Sequence, residues 1–178
     1  TNKKNIQEFF EKNTPDTIIH LAAKTNVDEC EKNSIESYRV NSEGTKNILQ
    51  MCKKYNVFLI YISTAAVFDG KKDVFYEDDD KNPVNVYGKS KLLGEEYIQK
   101  YLKDFLIIRA AWLIGGGKKE KKFVSYIVDQ INEEVKEIRV VNDKYGTVTY
   151  AKELADFITD SLLKKRSGVF HFGSLGRC

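Results

Sequence analysis

Cysteine is scarce. The three in this 178-residue chain, at 30, 52 and 178, show no metal-ligand spacing. An odd number of them, with no signal peptide, argues against a disulfide framework and for reduced thiols in a cytoplasmic protein. No apolar stretch approaches the ~20 residues that a membrane-spanning helix needs, so no membrane partner is expected. Neither sign of charge dominates: 29 basic and 26 acidic residues leave +3. That balance excludes an electrostatic nucleic-acid binder. The densest basic run, Lys118 to Lys122, reads as an exposed loop and helix start rather than a phosphate contact. Asp78-Asp79-Asp80 reads as turn and cap residues of a solvated loop, and no metal site is expected. Internal repeats, low-complexity tracts and linkers are absent. The length is one domain's worth of chain, enough for a real core.

A glycine-rich dinucleotide turn is also missing. No Gly-x-x-Gly-x-x-Gly occurs, and Gly115-Gly116-Gly117 follows a late strand without that spacing and reads as a loop. What is present is a regular alternation of elements. A short helix is expected over 6–12, a strand over 17–23, a helix within 35–55 and a strand over 57–63. The helix that carries Tyr87 follows, burying Leu92, Leu93, Tyr97, Ile98 and Tyr101. A strand over 105–110, a helix over 123–131, a strand over 138–141, a helix over 152–164 and a short strand over 169–172 complete the pattern. The strands are continuous apolar runs, which implies burial on both faces. The fold class is therefore α/β, a doubly wound and mostly parallel sheet with helices on both faces.

One constellation carries chemistry. The apolar run Val57-Phe58-Leu59-Ile60-Tyr61-Ile62 ends at Ser63-Thr64, and Tyr87 and Lys91 follow on one helical face. Residues four apart on a helix are neighbours. A phenol gives up its proton reluctantly at neutral pH, and a nearby ammonium favours the phenolate. Tyr87 then serves as general acid or base, and Thr64 as a preorganised donor to the same substrate oxygen. The plainer reading makes Tyr87 a half-buried aromatic at a helix start and Lys91 a solvated charge. The order of strand, loop and helix favours the chemical reading.

Ser63-Thr64-Ala65-Ala66-Val67-Phe68-Asp69-Gly70, followed by Asn85-Val86-Tyr87-Gly88-Lys89-Ser90-Lys91, resembles the extended short-chain dehydrogenase/reductases, and among them the dTDP-4-dehydrorhamnose reductase family. The segments 15–28, Val40-Asn41, 109–115 and 140–149 are similar in the same order, so the resemblance spans nearly the whole chain. It implies a Rossmann-like domain whose N-terminal glycine-rich part is absent here, with 111–150 and 166–178 contributing to a substrate lobe. It also implies a chain that begins after the family's third strand and is a fragment of something longer. The strand over 17–23 would then carry an unpaired apolar edge.

The resemblance further implies NADP or NAD as cofactor, a sugar nucleotide as substrate, and a possible homodimer. By it, Thr64, Tyr87 and Lys91 are catalytic, with Lys91 also on the nicotinamide ribose. Leu21, Ala22, Ala23, Thr25, Asn41, Ser63 and Ala111 lie toward the cofactor. Ala65, Ala66, Trp112 and Asp143 lie toward the sugar, with Lys144, Tyr145 and Thr149 nearby. Plain strand core for Leu21 to Ala23, a helix-surface amide for Asn41 and core packing for Trp112 remain open alternatives. Arg109 and His20 read as satisfied structural residues. Ala65-Ala66 stands where many relatives carry Asp-Tyr, and Val148 where they carry proline, which leaves the sugar open. The activity implied is NAD(P)H-dependent reduction of a 4-keto sugar nucleotide, most simply dTDP-4-dehydrorhamnose. The alternatives are a sugar-nucleotide 4-epimerase or dehydratase, or a non-catalytic regulatory subunit of the methionine adenosyltransferase type.

Overall fold

The structure, a computed structural model, describes residues 1–116 and 123–176. The basic run Lys118 to Lys122, Gly117 and Cys178 lie outside the described residues. Two compact units are present: Thr1–Arg109 with Arg166–His171, and Ala110–Lys165 with Phe172–Cys178.

In the first unit, helix α1 (Lys3–Asn13) begins where the Asn2 side chain accepts the Lys4 and Asn5 N–H groups, and it ends at Thr14 in the left-handed region. Strand β1 (Thr17–His20) is followed by α2 (Val27–Lys32) and α3 (Ser34–Tyr38), each capped by an asparagine, Asn26 and Asn33. A π turn (Arg39–Glu43), closed by the Gly44 N–H on the Arg39 carbonyl, leads into α4 (Gly44–Tyr55). The single helix expected within 35–55 is thus two helices and a π turn, and α2 is an addition. Strand β2 (Phe58–Thr64) runs parallel to β1, with Thr17 opposite Phe58 and His20 opposite Tyr61. A 3₁₀ turn (Ala65–Val67) and a long loop precede α5 (Val86–Tyr101), and β3 (Phe105–Ala110) follows. With β6 (Gly168–Phe172) these strands form a sheet in the order β1-β2-β3-β6. The sheet is mostly parallel and helix-covered, a Rossmann-like α/β fold. Its core packs Phe10, Leu49, Cys52, Leu59, Tyr61, Ile98 and Ile107 together, the Phe, Leu and Ile side chains each contributing roughly 1.5–3 kcal/mol by burial.

Strand β1 ends at His20, three residues before the sequence suggested. Leu21 and Ala22 continue in exposed backbone beyond the strand's carboxyl end. They are therefore not strand core.

In the second unit, β4 (Trp112–Ile114) pairs in parallel with β5 (Val148–Tyr150), and α6 (Phe123–Asn132) and α7 (Ala151–Leu163) complete it. The expected strand over 138–141 is not formed. The Trp112 N–H bonds the Thr147 carbonyl and β5 takes the place beside β4, while Val140 and Val141 stay exposed. Thr149, fully buried, accepts the Ala111 N–H at 3.1 Å and donates to the Phe172 carbonyl at 3.1 Å.

Candidate active site

The end of β2 and the first turn of α5 are brought into contact by what Gly88 lacks. A Cβ there would stand 2.1 Å from the Ala66 carbonyl oxygen. The helix start is held twice more. Asn85 Oδ1 accepts the Gly88 N–H at 2.7 Å, and Glu31 Oε1, from α2, accepts the Val86 N–H at 2.6 Å. Thr64 Oγ1 accepts the Ala66 N–H at 3.1 Å, which fixes the hydroxyl at the strand end. Tyr87, half-buried, lies beside it. Burial raises the Tyr87 phenol above its ordinary value; a hydrogen bond from Thr64 works against that rise, and Cys30 of α2 adds to it.

Lys91 lies one turn further along and is 2% exposed. Its Nζ rests 3.9 Å from the centroid of the Tyr61 ring. Burial pulls the ammonium down to about 7, with the Glu95 carboxylate opposing the fall. The expected lowering of the Tyr87 phenol by Lys91 is not what the structure gives. Burial dominates at Tyr87, Lys91 is not among the groups that act on its phenol, and the ammonium lies over the Tyr61 ring.

Asn41 is no surface amide. It is fully buried on the π turn, accepts the Lys24 N–H at 2.8 Å and donates to the Lys24 carbonyl at 3.0 Å and Ser90 Oγ at 2.9 Å. Ser90 Oγ in turn donates to the Tyr87 carbonyl at 2.8 Å. One amide thus ties the backbone beyond β1 to the helix that carries Tyr87. Thr45 donates to the Asn41 carbonyl, so His20 Nε2, 3.0 Å away, must carry the proton it shares with Thr45. Burial, helped by Lys91, lowers His20 to about 4. The reading of His20 as a satisfied core residue matches this.

Ser63, on the same face of β2 as Tyr61 by alternation, is buried. Its Oγ has no hydrogen-bond partner among the described residues. A buried orphan hydroxyl, next to the exposed Ala65 and near the carboxyl ends of β1 and β2, fits a polar group of a bound nicotinamide cofactor. Thr25 is exposed, Ala23 and Ala66 half-buried.

A second buried cluster supports the same helix. Glu95, two turns after Tyr87, is fully buried and takes Arg109 Nε at 3.1 and 3.2 Å and Nη2 at 2.7 Å. Arg109 Nη1 donates to the Glu77 carbonyl at 2.9 Å and to His171 Nε2 at 3.3 Å, and the Glu77 carboxylate accepts the His171 N–H at 2.8 Å. This pins the loop before α5 to β3 and β6. Arg109 is structural, as its place in an apolar run suggested. Glu95, Gly88, Ser90 and Tyr61 went unremarked in the sequence. The signal for Glu95 was its spacing of four from Lys91.

In the second unit, Ala111 is half-buried through its Thr149 contact. Trp112 is 47% exposed, so core packing is not its role. A Cβ on Gly146 would come within 2.9 Å of the indole. Asp143, Lys144 and Tyr145 are exposed in the segment before β5. Among the described residues no group of three or more His, Cys, Asp or Glu is placed to hold a metal. Asp79 of the acidic run is engaged by Lys72 at 2.7 Å and by the Tyr76 N–H. No helix among the described residues is long and apolar enough to cross a membrane.

A Rossmann-like sheet with Thr64 at a strand end and Tyr87 and Lys91 on the next helix defines the class of the extended short-chain dehydrogenase/reductases. The chain belongs, over residues 1–178, to the family described as the RmlD substrate binding domain. It is 36% identical over 99% of its length to the spore coat polysaccharide biosynthesis protein SpsK of Bacillus subtilis, covering 61% of that protein. To the dTDP-4-dehydrorhamnose reductase of Salmonella typhimurium it is 33% identical over 88% of its length and 52% of the relative's. The dTDP-4-dehydrorhamnose reductase of Bacillus anthracis, solved in complex with NADP, superposes with a TM-score of 0.94 at 32% identity, over 99% of this chain and 62% of that one. The chain therefore spans less than two thirds of the length of these relatives.

Proposed function

We propose that the protein reduces the keto group of a 4-keto sugar nucleotide with NADPH or NADH, with dTDP-4-dehydrorhamnose as substrate and dTDP-L-rhamnose as product. The observation that carries this reading is Thr64 beside Tyr87, with Lys91 one turn on, in a member of this family. Ser63 Oγ, the backbone of Leu21 to Ala23, Thr25 and Lys91 would hold the cofactor; Asn41, buried with both amide hydrogens spent, would position the Lys24 backbone rather than touch the cofactor. When bound, it supplies hydride to the keto carbon.

Tyr87 gives its phenolic proton to the oxygen of that carbonyl as negative charge develops there. Thr64, whose oxygen already accepts the Ala66 N–H, has its own proton to donate. It gives that one proton to the substrate oxygen and so orients it. When protonated, Lys91 would add positive charge one helical turn away. Ala65 and Ala66 would lie toward the sugar nucleotide, and in the second unit, as the substrate lobe, Trp112 and Asp143 are the candidate substrate contacts.

The test is loss of nicotinamide absorbance with the keto-sugar nucleotide, using the protein and its Tyr87→Phe variant. The wild type is expected to turn over, and the variant to lose at least ~10²-fold in kcat while still binding cofactor. Equal rates in the two proteins would overturn the assignment of Tyr87. A second reading, favoured by Ala65-Ala66, is 4-epimerisation or dehydration with retained NAD; it predicts product without net consumption of NADH.

A further inference from the structure

A buried ammonium ordinarily meets a carboxylate. The carboxylate near Lys91 is Glu95, and its oxygens are already taken by the Arg109 guanidinium. What lies under Nζ is the face of Tyr61, 3.9 Å to the centroid. That ring is fully buried and fenced on several sides. Its hydroxyl reaches the Lys91 carbonyl at 3.4 Å. Gly94 leaves the space the hydroxyl occupies, since a Cβ there would approach it to 2.6 Å. The His20 ring, held by Thr45, lies 5.5 Å from the Tyr61 centroid. A ring so confined cannot slide from beneath the cation.

We propose that Tyr61 is a positioning residue: its π face holds Lys91 charged and in place in a dry site, where the aromatic quadrupole replaces the water and the carboxylate that a lysine would otherwise have. Why a charged Lys91 matters rests on the reductase reading above; the contact does not. The titratable or charged groups around Lys91 are Tyr87 and Glu95 of α5, Tyr61 of β2 and His20 of β1, with Arg109 of β3 behind Glu95. His20 stays neutral above about pH 4, and burial raises both phenols. A titration near neutrality in this cluster therefore belongs to Lys91.

The experiment measures that titration directly in the 178-residue chain, by NMR of lysines labelled at Cε and Nζ. The Lys91 signal is assigned by its disappearance in Lys91→Arg. Position 61 carries Tyr, then Phe, then phenylalanines with one, two and three ring fluorines, which keep the ring's shape while draining its π face. Tyr61→Phe is expected to leave the midpoint in place. The fluorine series is expected to move it to lower pH stepwise, by about one pH unit in all. A midpoint indifferent to fluorine would overturn the proposal, whatever the enzyme's turnover. A stepwise fall in a protein that fails to oxidise NAD(P)H with the keto-sugar nucleotide would uphold the contact and overturn the reductase reading instead.

Discussion

At the scale of single residues, the site is built from groups that burial holds away from their ordinary protonation. An unfolded Lys91 keeps its proton up to about pH 10.5, whereas the folded one releases it at about 7. Below pH 7 both states are charged and the folded state bears the whole desolvation cost. Between about 7 and 10.5 that cost falls away. Lys91→Met should therefore stabilise the protein by a few kcal/mol at pH 6, with the gain shrinking as pH rises through that window. Urea unfolding at pH 6 and pH 10 measures it, and an equal gain at both would contradict the account. The chemical role and the stability role of Lys91 pull in opposite directions, as functional sites commonly do.

At the scale of elements, α5 is the organising piece. Its first turn touches the turn after β2 because Gly88 has no side chain, with the Ala66 carbonyl 2.1 Å from where a Cβ would stand. Gly88→Ala would force backbone away from backbone. We expect it to cost about 1–3 kcal/mol and to lower kcat more than it raises KM, because Thr64 and Tyr87 part. A KM effect alone would place the defect elsewhere. Two turns after Tyr87, Glu95 and Arg109 form a buried pair. Arg109→Met strands a buried carboxylate and should cost about 3–5 kcal/mol, much of it recovered when Glu95→Leu is added. A double-mutant cycle in thermal unfolding checks this, and additive losses would refute the pairing.

Much of this element was legible beforehand. Tyr87 and Lys91 at a spacing of four, and the strand ending in Ser63-Thr64, follow from local periodicity. Their mates do not. Glu95 meets Arg109 and Asn41 meets Lys24 across long stretches of chain, and no local pattern encodes such distances. The strand expected over 138–141 was lost for a related reason: apolar residues suggest a strand, but β5 formed where β4 found hydrogen bonds.

At the scale of the whole molecule, the same burial gives a characteristic response to pH. His20 is free to take a proton at about 6.5 when unfolded but resists until about 4 when folded. As pH falls through that window the unfolded state binds the proton first, and roughly 3 kcal/mol of stability is lost. The Lys91 window lies above it, and both make stability climb with pH. His20→Gln should flatten the lower window and leave the upper one untouched, as read from urea midpoints at pH 4.5, 6.5 and 9. A parallel displacement of all three midpoints would assign the acid loss to other groups. The charge count of +3 cannot forecast this, because it registers neither depth nor neighbours.

The π turn at Arg39–Glu43 has a consequence for heredity. It is one residue too many for an ordinary helix, and the loss of a single codon there would let 34–55 run on as one smooth rod. The gene would then encode a more regular helix and a worse protein. Each residue removed rotates what lies before it by ~100°, carrying Ser37 out of its buried place and Glu36 away from Lys24. Lineages of this family should be free to gain and shed letters in the loops, yet be unable to iron out this kink.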